Sequence, residues 1–121
     1  MNSLSGKLHT CSFGMQLAGG TEHAVAIVVP CYNENARFPV GRVRHFIAKT
    51  SVDFVFVDDG SQDATFEVLE SLRRDCPNRI SILRQPMNRG KGEAVRVGVL
   101  QAMNDGYAYV GFYGRGSRDA P

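Results

Sequence analysis

An acidic stretch at residues 58–61 (Asp-Asp-Gly-Ser) directly follows the apolar run 54–57. The β-branched and aromatic run predicts a buried strand, and the polar residues after it predict a strand-to-helix turn. Ligands of open α/β sheets bind beyond the carboxyl ends of the strands, where two carboxylates can accept hydrogen bonds from a base or a ribose. The alternative interpretation is a capping turn, in which Ser61 or Asp63 satisfies free amides of the next helix.

Two further polar loops are predicted to reach the same edge of the sheet. Residues 32–35 offer an aromatic ring, amides and a carboxylate, and residues 88–92 form a glycine-rich turn with Lys91 at a predicted helix start. Such a helix start is suited to an anion. Together with the acidic turn these loops suit a nucleotide, whereas each loop alone is equally compatible with an ordinary surface turn.

Other ligand signatures are absent from the sequence. Residues 88–92 lack the spacing of a P-loop, and no GxGxxG motif follows the first predicted strand, which disfavours a dinucleotide-binding dehydrogenase. The histidines (His9, His23 and His45) form no ligand cluster, so we predict no metal site from them.

The composition indicates one soluble globular domain. A chain of 121 residues with a net charge of +2 has room for one core, and it carries no block of like charges that would favour nucleic acid or an anionic membrane. Cys11, Cys31 and Cys76 form no CxxC pair, which favours reduced thiols and a cytoplasmic location. Residues 1–23 have no signal-peptide pattern, and we expect them to form a flexible leader.

The order of apolar patterns defines the predicted fold class. Short apolar strands alternate with amphipathic helical stripes, which predicts an α/β protein with three layers, in which helices cover both faces of a mostly parallel sheet. We expect Pro30 to end the first strand, because it has no ladder donor. The predicted strands are 24–30, 52–57, 80–83 and 109–113, and the predicted helical segments are 40–47, 66–76 and 93–103.

Three segments carry a resemblance to a known family. Residues 26–34 (AIVVPCYNE), 57–65 (VDDGSQDAT) and 88–92 (NRGKG) resemble, in order and spacing, the family 2 glycosyltransferases. The sequence is particularly similar to the bacterial and dolichyl-phosphate sugar transferase branch, over residues 24–113. The resemblance implies a truncated GT-A fold, as in the nucleotide-diphospho-sugar transferases. It also implies that 24–113 is the nucleotide-sugar-binding domain of an inverting enzyme that transfers a sugar to an acceptor hydroxyl.

The resemblance also implies roles for residues of the first loop. Pro30, Tyr32, Asn33 and Glu34 would border the base of a nucleotide diphosphate sugar. We expect a UDP-sugar as the donor, with a GDP-sugar as the alternative, and no nucleic acid partner.

The other two loops receive roles in the same way. Asp58 would hydrogen-bond the base, and Asp59 would shape the ribose side. Gly60 would let the backbone turn closely at this point, while Lys91 would lie near the sugar diphosphate. Ser61 and Asp63 would cap the following helix.

The resemblance breaks at the end of the chain. Family members carry an Asp-x-Asp motif after the fourth strand, and its carboxylates hold the Mn²⁺ or Mg²⁺ ion that the full-length enzymes use. Here residues 113–121 read YGRGSRDAP, in which Asp119 is alone beside Arg118. We therefore assign no metal ligand and no catalytic residue to this chain.

A frameshift is our hypothesis for this break. With codons chosen freely, one G inserted after the first codon of a gene segment for Tyr-Asp-Ala-Asp-Leu-Ala-Thr-Pro gives Tyr-Gly-Arg-Gly-Ser-Arg-Asp-Ala, which reproduces residues 113–120. Sequencing the gene tests this hypothesis, because a clean downstream frame without Asp-x-Asp would refute it. We expect an irregular tail over 114–121, no acceptor-binding half and an exposed sheet edge that promotes self-association.

Two other functions stay open at the level of the sequence. One is a non-catalytic α/β binding or interaction module, which would keep the scaffold without turnover. The other is a flavodoxin-like domain, which would need a phosphate loop after the first strand, and residues 31–35 are a poor match to one. We expect a cytoplasmic protein, with membrane association in a full-length parent.

Overall fold

The computed structural model describes residues 24–114, so the predicted leader and residues 115–121 lie outside the described part. Within that part, strands and helices alternate as the apolar pattern predicts, and none of its helices is long and apolar enough to cross a membrane. The elements are β1 (Val25–Cys31), α1 (Val40–Lys49), β2 (Asp53–Asp59), α2 (Thr65–Asp75), β3 (Ile80–Gln85), α3 (Lys91–Asn104) and β4 (Tyr109–Phe112).

The strands form one parallel sheet in the order β3-β2-β1-β4. The chain moves in one direction across the sheet from β1 to β3, and α3 then returns it to the far side of β1. The direction of the strand order therefore reverses between β1 and β4. In open parallel sheets this reversal creates a crevice at the carboxyl ends of the strands, where ligands bind.

The core lies on both faces of the sheet, because successive side chains of a strand point to opposite sides. Val29 and Phe56 pack in the layer of α1 and α2, whereas Val28 and Val57 pack against α3. A Cβ atom on Gly98 would lie 2.4 Å from Val28 Cγ1, so the glycine lets α3 lie close to the sheet. These contacts confirm the predicted three-layer α/β class with helices on both faces.

Three strands extend beyond their predicted ends. β1 continues through Pro30 to Cys31, β2 continues through both Asp58 and Asp59, and β3 continues to Gln85. Pro30 fits inside β1 because the backbone N–H and C=O groups of successive residues point alternately to the two neighbouring strands, β2 and β4. Val28 accepts a hydrogen bond from the N–H of Tyr113 on the β4 side, so Pro30, two residues later, faces the same side beyond the last paired residue of β4. The prediction that Pro30 ends the strand is therefore wrong, since its missing N–H costs no ladder bond to β4.

The helices differ from the sequence prediction in small ways. α3 begins at Lys91 rather than near Glu93. In α1, Ile47 of the predicted apolar stripe is buried, whereas Phe46 is 40% exposed. The Phe46 ring still contacts the sheet edge-to-face, with its centroid 5.8 Å from that of Phe54.

Candidate functional site

The two predicted site carboxylates, Asp58 and Asp59, lie inside β2 rather than in a turn after it, which corrects the sequence prediction. Because neighbouring side chains of a strand point to opposite faces, the two carboxylates cannot act as a pair. Asp58 lies in the layer of α1 and α2, and Asp59 lies on the side of α3. Both residues are buried, with relative exposures of 0% and 2%.

Asp59 organises the loop that precedes α3. Its Oδ1 accepts hydrogen bonds from Gln85 Nε2 at 2.9 Å and from the backbone N–H of Arg89 at 2.8 Å. Its Oδ2 accepts from Asn88 Nδ2 at 3.1 Å and from the backbone N–H of Gly90 at 2.9 Å. Four donors satisfy the accepting capacity of one carboxylate. Asp59 therefore holds the 88–90 loop to the sheet, and a part in shaping the ribose side stays a prediction.

Gly60 brings the loop that follows β2 into backbone contact with the loop that precedes α3. It adopts a φ of +74°, and a Cβ atom here would lie 2.4 Å from both the nitrogen of Asn88 and the carbonyl carbon of Met87. A residue with a side chain would be strained by the positive φ and would also collide with the 87–88 backbone. The position thus requires glycine, in agreement with the close turn expected there.

Hydrogen bonds join the loop that follows β1 to the loop that follows β2 and to the start of α2. The N–H of Asn33 donates to Ser61 Oγ at 2.9 Å, and the N–H of Gln62 donates to Asn33 Oδ1 at 2.9 Å. The N–H of Glu34 donates to Thr65 Oγ1 at 2.7 Å. Asn33 takes a φ of +49°, a left-handed conformation that asparagine tolerates well. The predicted helix-capping role of Ser61 is therefore wrong, because its hydroxyl accepts from the neighbouring loop instead.

Asp63 behaves as predicted at the start of α2. Its Oδ1 accepts from the N–H of Thr65, the first residue of the helix, at 2.8 Å, and also from the Thr65 hydroxyl. Its Oδ2 accepts from the N–H of Asn35 at 3.3 Å. The hydrogen bond from the Thr65 hydroxyl is the main reason why the pKa of Asp63 lies below its usual value. Asp63 thus caps α2 and also ties the first loop to it.

Two buried carboxylate oxygens have no hydrogen-bond partner within the described residues: Asp58 Oδ2 and Glu34 Oε1. The other oxygen of Asp58 accepts from the N–H of Ser61 at 3.1 Å. Cations approach both unpartnered oxygens but stay beyond hydrogen-bond geometry, with Arg84 Nε 3.5 Å from Asp58 Oδ2 and Arg37 Nη2 3.5 Å from Glu34 Oε1. A buried acceptor without a donor is costly, so such atoms mark positions where a ligand could supply one.

The remaining predicted site residues lie around the same edge of the sheet. Tyr32 follows β1 and is 42% exposed, so much of its side chain is accessible. Pro30 is partly buried at the end of β1. Lys91 is the first residue of α3, and its Nζ lies 3.0 Å from the position of a Cβ atom on Gly114. The lysine side chain thus reaches the backbone that follows β4.

Sequence reasoning missed several residues that build the site. Thr65, Gln85 and Asn88 hold the loops through their side chains, and Arg84 lies over Asp58. The available signal was position: Arg84 and Gln85 stand at the carboxyl end of a predicted strand, next to another strand end that carries two acids. Their contacts depend on the pairing of Asp58 with Arg84 and of Asp59 with Gln85 across β2 and β3.

The described residues do not provide a metal site. No group of three or more His, Cys, Asp or Glu side chains converges within residues 24–114. Asp58 and Asp59 face opposite sides of the sheet, and the oxygens of Asp59 already accept four hydrogen bonds. The residues present therefore do not fit the divalent ion that the family resemblance implies. Asp119 lies outside the described residues.

The fold belongs to the GT-A-like glycosyltransferase class. One matching structure is the mannosyltransferase PcManGT from Pyrobaculum calidifontis in complex with GDP-Man and Mn²⁺. It has a TM-score of 0.54 and 22% identity, over 64% of this chain and 24% of that chain. A second is S. aureus TarS, with a TM-score of 0.59 and 24% identity, over 74% of this chain and 16% of that chain.

The chain belongs to glycosyl transferase family 2, whose model matches residues 26–113. Its relatives include a dolichyl-phosphate beta-glucosyltransferase from Trichomonas vaginalis, 33% identical over 90 residues that cover 67% of this chain and 28% of the relative. Another is the polyprenol monophosphomannose synthase of Mycolicibacterium smegmatis, 33% identical over 84 residues that cover 68% of this chain and 31% of the relative. The chain thus spans less than a third of the length of these two relatives.

Proposed function

We propose that residues 24–114 bind the nucleotide part of a nucleotide-diphosphate sugar, as the donor-side portion of an inverting glycosyltransferase. Membership of glycosyl transferase family 2 supports this proposal, as do relatives named as sugar transferases. In the complete reaction an acceptor hydroxyl displaces the nucleotide diphosphate from the sugar in one step. This chain contributes donor binding to that reaction.

The observation that carries the proposal is Asp58 Oδ2. It is a buried, unpartnered acceptor near the carboxyl edge of a parallel sheet, where ligands of this architecture bind. Its partner oxygen is held by the N–H of Ser61, so the carboxylate has a fixed orientation. A ring N–H, such as N3–H of uracil or N1–H of guanine, supplies the missing donor. Hydrogen bonds to charged groups are among the stronger ones in proteins.

The neighbouring loops offer further contacts of the right kind. The exposed ring of Tyr32 can stack on a base, and the unpartnered Oε1 of Glu34 is a second acceptor in the same loop. Lys91 begins α3 and its Nζ lies near the backbone of Gly114, which supports a role in meeting the negative charge of a diphosphate. Asp59 and Gly60 act indirectly in this proposal, since they hold the loops together.

The proposal includes no metal-dependent step. Asp58 and Asp59 face opposite sides of the sheet, and the two oxygens of Asp59 already accept four hydrogen bonds from protein donors. This observation favours nucleotide binding without turnover in the present chain. The alternative function, an α/β interaction module that binds no nucleotide, is separated from the proposal by a binding measurement.

Isothermal titration calorimetry on the 121-residue chain tests the proposal with UDP and GDP, each with and without Mn²⁺. We expect one of the two nucleotides to bind, with little dependence on Mn²⁺. Asp58→Asn should weaken this binding about tenfold or more, because it replaces a charged acceptor by a neutral one of the same shape.

Arg73→Ala serves as the matched surface control, because Arg73 pairs only with Glu70 among the contacts seen on α2. It should leave the affinity unchanged, and circular dichroism should show that both variants are folded. Failure of both nucleotides to bind would favour the interaction module. Tight binding that requires Mn²⁺ would contradict our interpretation of the metal ligands, and unchanged binding by Asp58→Asn would remove the base contact.

A further inference from the structure

The Arg84 side chain covers the unpartnered oxygen of Asp58. Arg84 pairs in register with Asp58 across β2 and β3, and its Nε lies 3.5 Å from Asp58 Oδ2. Its guanidinium carbon lies 4.0 Å from the centre of the Phe66 ring of α2. The oxygen itself has almost no surface accessible to solvent. A ligand therefore reaches Oδ2 only if a protein group moves away from it.

Of the groups around this carboxylate, Arg84 is the one suited to move. The Asp58 side chain is completely buried and is anchored through Oδ1 by the N–H of Ser61. The Arg84 side chain is 51% exposed, and its approach to Oδ2 is longer than a normal N–H···O bond. A partly exposed ion pair and a cation–π contact of this kind are both weak, so their loss is readily offset by a direct hydrogen bond to the carboxylate.

We infer that Arg84 is a displaceable cover over the base subsite: it rests on Phe66 and shields Asp58 until a base donates an N–H to Oδ2. The inference rests on the proposed function, because it needs a base at Asp58. It adds a specificity element to that site. A base that presents a ring N–H replaces the contact that Arg84 gives up, whereas a base without that proton leaves Asp58 Oδ2 with no donor, although Oδ1 keeps its hydrogen bond from Ser61.

Arg84 in this role opposes binding, which distinguishes it from an ordinary ligand contact. Arg84→Ala removes the competing cation, so UDP or GDP should bind roughly three- to thirtyfold more tightly than to the wild-type chain. Phe66→Leu keeps an apolar side chain in α2 but removes the ring under the guanidinium. It should strengthen nucleotide binding by a smaller factor.

Calorimetry of the 121-residue chain and its variants tests the inference, with UDP, GDP and N3-methyl-UDP as probes. The methylated nucleotide cannot donate to Oδ2, so it should bind the wild-type chain weakly and gain less from Arg84→Ala than UDP gains. Arg73→Ala, on the surface of α2, should bind like the wild type. Circular dichroism checks that each variant is folded, and Phe66→Leu supplies a second test if Arg84→Ala is not.

The outcomes separate this inference from the proposed function. If the wild-type chain binds a nucleotide and Arg84→Ala binds it equally or more weakly, Arg84 is not a cover, while the proposed function stands. If neither protein binds UDP or GDP, the proposed function fails and the cover fails with it. Binding by Arg84→Ala alone would support the cover, since its removal would then have opened a site that the wild-type chain keeps closed.

Discussion

Asp58 and Asp59 are neighbours in sequence with the same side chain, yet the structure gives them different roles. Asp59 accepts four internal hydrogen bonds and holds the 88–90 loop, while Asp58 keeps one buried oxygen without a hydrogen bond. The difference arises because β2 continues to Asp59, so that the two side chains point to opposite faces of the sheet. One carboxylate supports the site, and the other is available to a ligand.

At this scale the sequence predicted the three loops that build the site but not their contacts. Aspartate is disfavoured in strands, so the acidic residues were expected to end β2 rather than to lie within it. Their burial is compensated by partners far along the chain, such as Asn88 and Gly90 for Asp59. The position of Arg84 over Asp58 depends on the register of β2 and β3, which no local pattern encodes.

Gly60 allows a sharp test of the contact between the second and third loops. Gly60→Ala should lower the free energy of unfolding by about 2–5 kcal/mol, because it adds both positive-φ strain and a collision with the 87–88 backbone. Gly106 also has a positive φ, of +95°, but a Cβ atom there meets nothing within 4 Å. Gly106→Ala should therefore cost only about 1–2 kcal/mol. Equal losses in urea unfolding would show that the close contact at Gly60 is unimportant.

At the scale of elements, α3 packs closely against the sheet at a glycine. A Cβ atom on Gly98 would lie 2.4 Å from Val28 Cγ1 and 3.0 Å from Val57 Cγ2. The order and type of the elements were predicted from apolar periodicity, and all of the predicted strands and helices are present in residues 24–114. The carboxyl ends of β1 and β2 were not predicted correctly, because both strands contain residues that usually stop a strand. The short β4 accommodates Pro30, and tertiary partners accommodate the two aspartates.

Gly98→Ala tests whether α3 and the sheet are tightly packed. We expect the added methyl group to push against Val28 and Val57 and to lower the free energy of unfolding by about 1–3 kcal/mol. Gly41→Ala in α1 is the matched control, because its Cβ would have nothing within 4 Å. That change should be neutral or stabilise the protein by up to about 1 kcal/mol through helix propensity. Similar effects of the two substitutions in urea unfolding would contradict the close packing of α3.

At the scale of the whole molecule, a polar network stabilises the amino ends of the strands, at the edge of the sheet opposite the candidate site. Arg79 Nε donates to Asp53 Oδ1 at 2.8 Å, and Arg79 Nη2 donates to the carbonyls of Thr50 and Val52 at 2.7 and 2.8 Å. Tyr107, which precedes β4, donates its hydroxyl to Asp53 Oδ2. This network joins the starts of β2, β3 and β4. The stabilising interactions at this edge are therefore separate from the unpartnered acceptors at the other.

The network predicts a dependence of stability on high pH. Burial, and then the nearby Asp53 carboxylate, raise the pKa of Tyr107 well above its usual value of about 10. The folded chain then keeps the phenol protonated where the unfolded chain ionises. The stability from Tyr107 is fully present below about pH 10 and is lost as the pH rises, by up to about 1.4 kcal/mol per pH unit. In urea unfolding above pH 10, Tyr107→Phe should show a shallower decline than the wild type, and equal slopes would refute this assignment.

The outer side of β4 predicts self-association. Tyr109 and Phe112 of β4 are 69% and 63% exposed, and no strand lies beyond β4 within the described residues. An exposed strand edge with large apolar side chains promotes pairing with another chain. In analytical ultracentrifugation, the weight-average mass should rise with concentration and should fall for Phe112→Lys. Ser71→Lys adds the same charge on α2 and should have no effect; a monomer at all concentrations would refute the prediction.

The proposed function requires a nucleotide to bind at the carboxyl ends of the strands, and NMR mapping of backbone amides on the 121-residue chain tests this most directly. On addition of UDP or GDP, we predict the largest chemical-shift changes in residues 31–35, 58–63 and 88–92, with little change around Asp53 and Arg79 at the opposite edge. Shifts centred on that opposite edge, or no shifts with either nucleotide at millimolar concentration, would contradict nucleotide binding at this site.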